Sequence, residues 1–166
     1  MSSITFIVLA RAIHVMAGVA WAGATFMLAS VIIPMSRDAD AGRFVGQVAG
    51  KMGRVLGIAA LLTVLSGIYL FAVLHPSDNS VGGLVLKTGA LAAILSWLAG
   101  VLVGRPTMLK IAKLGQQAAT GNASPALAEE MTALRKRAAV TARVGGALLG
   151  LSILAMAVFR YVQGLA

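Results

Sequence analysis

Cysteine is absent from all 166 residues. Its absence excludes disulfides, thiolate metal sites, iron–sulfur clusters and a cysteine nucleophile, and leaves any metal to His, Met, Lys, carboxylate or a porphyrin. Acid is almost as scarce, with five Asp and Glu against fourteen Lys and Arg and a formal net charge of +9. All five carboxylates, Asp38, Asp40, Asp78, Glu129 and Glu130, lie in loops or at helix starts. No Ser/His/Asp set, phosphate loop, His-Glu-x-x-His or carboxylate pair is present, which argues against hydrolase and nucleotide-enzyme readings. Charged residues make up 11% of the chain and apolar ones 59%, against about 25% and about 45–50% in a soluble domain. With a mean hydropathy of +0.92, a soluble globular protein is excluded.

The apolar content suffices for about four bilayer spans of about 20 residues, with little left for a soluble head. The first run goes from Ile4 to Pro34, broken by Arg11 and His14, and without a basic leader it reads as a retained helix. The second, Val55 to Leu74 with an amphipathic lead-in from Phe44, stops at His75-Pro76-Ser77-Asp78-Asn79. Gly82-Gly83 completes a short loop before the third run, Leu84 to Val103. Helical spacing continues to Gln117, Thr120 to Pro125 is a turn, and Ser124 with Pro125 starts the last helix. The expectation is an all-α polytopic membrane protein: one domain, 1–166, folded as an antiparallel bundle of four transmembrane helices over 4–35, 44–75, 84–117 and 125–163.

Positive charge sets the orientation. Arg37, Arg43, Lys51 and Arg54 lie between spans one and two, and Arg105, Lys110, Lys113, Arg135, Lys136, Arg137 and Arg143 between spans three and four. The loop between spans two and three has none before Lys87. Both termini are therefore expected outside, with the basic face toward anionic lipid in the cytoplasm. Nucleic acid is a poor partner, because the cations flank apolar spans and no recognition motif is present. Arg54-Val55-Leu56-Gly57 lines up with Arg143-Val144-Gly145-Gly146, and Pro34 and Pro106 both follow odd-numbered spans. In so simple an alphabet this carries little weight as a duplication. Small residues at four-residue steps, such as Gly53 with Gly57 and Gly89 with Ala93, allow close helix approach. They leave a homodimer open.

The ionisable groups that enter the bilayer sort to the outer half: Arg11, His14, Lys87 and Arg160. Arg11, His14, Gly18, Trp21 and Thr25 share one face of helix one. A central Arg or Lys costs about 2.5–3.5 kcal/mol on the insertion scale, so such residues tend to face an interior site. No acid lies in any span to neutralise them, which makes a bound anion the natural partner. His14, with a glycine one turn on, an aromatic two turns on and an arginine one turn outward, has the parts of a membrane haem pocket. Imidazole takes the iron, Gly18 admits the macrocycle, Trp21 forms a wall, and Arg11, Arg160 or Lys87 pair with propionates. Lys87 as a neutral amine, or His75, could be the second ligand. His75 beside Pro76 also suits a helix cap. Met16, Met27 and Met156 could serve copper with the histidines, although single methionines in spans are mostly packing.

The run Arg11-Ala12-Ile13-His14-Val15-Met16-Ala17-Gly18-Val19-Ala20-Trp21-Ala22-Gly23-Ala24-Thr25-Phe26, closed by Pro34, resembles the first helix of small bacterial membrane proteins related to the copper-resistance D domain. It also resembles the haem-b protoporphyrinogen oxidase of the HemJ type. Leu61 to Leu70 and Lys87 at the head of helix three fit the same pattern. The resemblance implies haem at His14 and a functional Lys87. The chain lacks a further histidine near the end of helix three, where it reads Leu102-Val103-Gly104-Arg105-Pro106, and its cytoplasmic hairpin is extended. The expected function is thus a haem-b-binding redox protein of the bacterial inner membrane, exchanging electrons with a quinone or a porphyrin-like molecule. Its rivals are a copper-handling protein without haem and a non-catalytic assembly or anion-binding subunit.

Overall fold

The computed structural model describes residues 3–35, 41–121 and 124–163, the side chains of 41–51 excepted. Four long helices carry the chain. They are α1 (Ser3–Met35), α2 (Ala41–Leu74), α3 (Val81–Ala119) and α4 (Pro125–Val162). Each holds a stretch long and apolar enough to cross a membrane, and no strand occurs among the described residues. The molecule is an all-α four-helix bundle and a multi-pass membrane protein. Its exterior fits a lipid solvent, since large apolar side chains such as Met16, Val19 and Leu102 are more than two-thirds exposed.

Helix ends follow local chemistry. Ser80 caps α3 by accepting the Gly83 N–H at 3.0 Å, and Ser124 caps α4 by accepting the Leu127 N–H at 3.2 Å. Gly82 and Gly83, read from sequence as loop, are therefore the first turn of α3. The α3–α4 turn closes on Gly121, whose φ of +88° favours glycine. Both odd-numbered helices widen into a π-helical turn, Leu28–Ile32 in α1 and Gly100–Gly104 in α3. Each ends two residues before a proline, Pro34 and Pro106. The wide turn accommodates a ring that would otherwise strike the carbonyl four residues back.

α1 packs along α2 and α3 along α4, and the two hairpins meet chiefly through α1 against α4. A central layer draws on all four helices: Trp21 and Ala22, Ala59 and Ala60, and Leu149, flanked by Leu56, Val64, Ala93 and Trp97. Close approach within each hairpin rests on glycine. Gly18 stands against Thr63, where a Cβ would lie 3.6 Å from its methyl, and Gly89 stands against Ala155, where a Cβ would lie 2.7 Å away. Ser96 adds a buried hydrogen bond from its hydroxyl to the Gly145 carbonyl, 3.0 Å across α3 and α4. With their matched π turns and glycine contacts, the two hairpins are alike in architecture.

Candidate functional site

The α1–α2 seam holds the histidine. His14 Nδ1 lies 2.9 Å from the Thr63 carbonyl oxygen. A carbonyl can only accept, so Nδ1 carries a proton, and in the neutral imidazole it is then Nε2 that keeps a lone pair. The Ser66 hydroxyl, 3.3 Å from Nδ1, donates to the Leu62 carbonyl and leaves its oxygen as a second acceptor for Nδ1–H. Thr63 in turn donates its hydroxyl to the Ala59 carbonyl at 2.7 Å, so its side chain makes no claim on the imidazole. The ring lies in a notch left by Gly67, where a Cβ would come within 2.9 Å of Cε1. Thr63 lies inside the Met52–Leu74 span and His14 inside the Ser3–Met35 span, so the imidazole sits between two helices apolar enough to cross a membrane. His14 is only partly buried, and among the described residues no donor meets Nε2.

The other residues singled out from sequence are placed as follows. Gly18 faces Thr63, so its missing side chain makes room for α2. Trp21 is 6% exposed in the central layer and serves as core. Arg11, one turn outward from His14, and Arg160, in the last turn of α4, are both exposed, with no ion-pair partner among the described residues. Lys87 donates from Nζ to Asn79 Oδ1 at 2.8 Å and so turns toward the loop. α3 does not run along α1, and the structure does not bring Lys87 to His14.

His75 belongs to a separate cluster. Its Nδ1 stands 3.7 Å from Asp78 Oδ2, and its ring meets Phe159 edge-on at 5.7 Å between centroids and Phe71 at 6.3 Å. Asp78 also accepts the Ser80 N–H at 3.0 Å and the Gln163 amide at 3.2 Å. Hydrogen bonding by Ser80, through its side chain and then its backbone, holds the Asp78 carboxyl below its ordinary range, with His75 and Gln163 adding to the effect. His75 lies eight positions beyond Gly67, about 12 Å of helical rise, so the two histidines do not converge. No group of three His, Asp or Glu able to hold a metal occurs among the described residues.

Thr63, Ser66 and Gly67 form the cradle, and residue-by-residue reading of α2 gave them no role. Their only signal was small or polar residues at steps of three and four inside an apolar span, a pattern shared by ordinary packing seams. Searches of protein-family models, curated proteins and solved structures found no match to this chain.

Proposed function

We propose that the protein is a haem-b-binding membrane redox protein of the bacterial inner membrane, in which His14 Nε2 would hold the iron. One observation carries the reading: a backbone carbonyl accepts the Nδ1–H of an imidazole inside an apolar span, and among the described residues nothing donates to Nε2 of this part-exposed ring. Histidines that ligate metals are commonly oriented this way, with the second ring nitrogen donating to a carbonyl or carboxylate. A histidine serving only to tie two helices together would leave a basic nitrogen without a donor inside an apolar span, an unfavourable arrangement. The donor set therefore fits a haem held by one imidazole. Arg11, one turn outward from His14, would pair with a propionate, and Arg160 would supply a second cation. The haem would supply one-electron chemistry, with a quinone or porphyrin-like molecule as electron partner. His14 would hold the haem, while the Thr63 carbonyl keeps a proton on Nδ1 and the notch at Gly67 seats the ring. Both termini and the 75–80 loop face the outside in this reading, by the distribution of Lys and Arg.

Oxidised and reduced absorption spectra of the detergent-purified protein, alone and after haem is supplied, test the reading. A Soret band with reduced b-type peaks is expected, lost in His14→Ala. A wild-type protein that stays colourless with added haem overturns it, as does a band that His14→Ala leaves unchanged.

A further inference from the structure

At the end of the bundle that carries the 75–80 loop, Asp78 Oδ2 has side chains from two other segments beside it, His75 at the close of α2 and Gln163 just past α4. We propose that His75 Nδ1, Asp78 Oδ2 and the side-chain amide oxygen of Gln163 bind a first-row divalent transition-metal ion of the zinc and copper class.

The distances leave room for a shared ion. His75 Nδ1 to Asp78 Oδ2 is 3.7 Å, beyond the range of an N–H···O bond. Two ligands held at about 2.0–2.2 Å by one ion stand about 3.0–3.5 Å apart, so a closing of a few tenths of an ångström suffices. The Gln163 amide is already 3.2 Å from the same carboxylate oxygen. Rotation of the amide about its last bond brings Oε1 to the place of Nε2 and turns a donor into a ligand. Oδ1 of Asp78 stays engaged with the Ser80 N–H, which holds the carboxylate in one orientation.

The surroundings build the site. A Cβ on Gly82 would lie 2.2 Å from Gln163 Cγ and 2.7 Å from the Phe159 carbonyl, and one on Gly83 would lie 2.5 Å from the Asp78 carbonyl. The glycine pair at the start of α3 thus lets Asp78 and Gln163 come together. Phe159 and Phe71 flank the imidazole and limit its rotation. The His75 and Asp78 side chains are 24% and 21% exposed, which leaves water to complete the coordination. One imidazole nitrogen with two oxygens suits zinc or copper(II) better than magnesium or calcium, which favour all-oxygen shells. A bound ion would tie the end of α2 to the end of α4 and lock the two hairpins together. The site is independent of His14 and of any haem.

Chelator-washed full-length protein in detergent, titrated calorimetrically with zinc chloride and then with copper(II) chloride, tests this. One equivalent is expected to bind, copper more tightly than zinc, with a melting temperature that rises as zinc is added. His75→Ala, Asp78→Asn and Gln163→Ala should each weaken zinc at least tenfold, and His14→Ala should leave it unchanged. Gln163 is exposed, so Gln163→Ala tests the site without threatening the fold. Failure of the wild type to take up one equivalent overturns the proposal. So does binding that survives Asp78→Asn and Gln163→Ala, which would reduce it to a lone surface histidine, or binding abolished by His14→Ala.

Discussion

Gly67 decides what His14 can do. A methyl at this position would sit 2.9 Å from Cε1 and 3.2 Å from Nδ1, so Gly67→Ala is expected to displace the ring and weaken its bond to Thr63. Overpacking of this kind costs about 1–3 kcal/mol. The variant is expected to unfold more readily in detergent and, on the haem reading, to lose most of the Soret absorbance although His14 is still present. Full absorbance in Gly67→Ala would show that the notch does not orient the ligand. Asp78 carries a pH dependence. Its folded carboxyl titrates below its ordinary range because Ser80 hydrogen-bonds to it. The stabilisation it gives is therefore complete above the unfolded carboxyl value of about 3.9 and is lost as pH falls through the lower folded value. Hydrogen exchange of the Ser80 to Gly83 amides should be flat from neutral pH to about 5, once corrected for intrinsic rates, and should accelerate below about 4.

At the scale of the helix, glycines that look equivalent in sequence divide into two kinds. Gly89 lies against Ala155 and the Ser152 carbonyl, whereas a Cβ on Gly53 or Gly57 would meet nothing within 4 Å. Gly89→Val should therefore destabilise the α3–α4 hairpin by about 1–3 kcal/mol, measured by unfolding in mixed detergent. Gly57→Ala should be neutral or slightly stabilising, since alanine is the better helix former by about 1 kcal/mol. Equal losses from the two would contradict the packing described here. The part of the α3–α4 hairpin beyond the spans is held by its own seam, with Thr107 and Leu114 buried on one helix and Leu134 and Ala138 on the other. Lys110 pairs with Glu130 across it at 2.5 Å. Both side chains are about half exposed, so Glu130→Gln should change stability by less than about 1 kcal/mol.

For the whole molecule, the basic residues collect at the end opposite the 75–80 loop. Arg105, Lys110, Lys113, Arg135, Lys136, Arg137 and Arg143 belong to the hairpin that extends beyond spans three and four. If that end faces the cytoplasm, single cysteines placed in the 75–80 loop of this cysteine-free chain should react with a membrane-impermeant maleimide in intact cells. Cysteines near Gly121 should react only after the membrane is opened. The reverse pattern would invert the orientation. The matched π turns also bear on molecular symmetry: α1 and α3 carry the same irregularity at the same distance from Pro34 and Pro106. The proline spacing, weak as a sequence signal, therefore marks a shared backbone feature.

Composition alone determined the class of this protein, because 59% apolar residues and the near absence of acid leave no solvent but lipid for so much surface. Span number and approximate bounds followed from run lengths, and His14 was legible because an ionisable group in an apolar run is conspicuous. What each polar or small residue touches was decided by the tertiary structure. Gly18 and Trp21 share a helix face with His14, but only the approach of α2 showed that Gly18 fits against Thr63 and that Trp21 fills the core. Lys87 could be set at a depth from sequence, but the direction of its flexible side chain, toward Asn79, could not. Gln163 and Asp78 are 85 positions apart and met only when the two hairpins closed. Periodicity reports the face a residue occupies on its own helix, and the neighbour across that face is set by packing between helices.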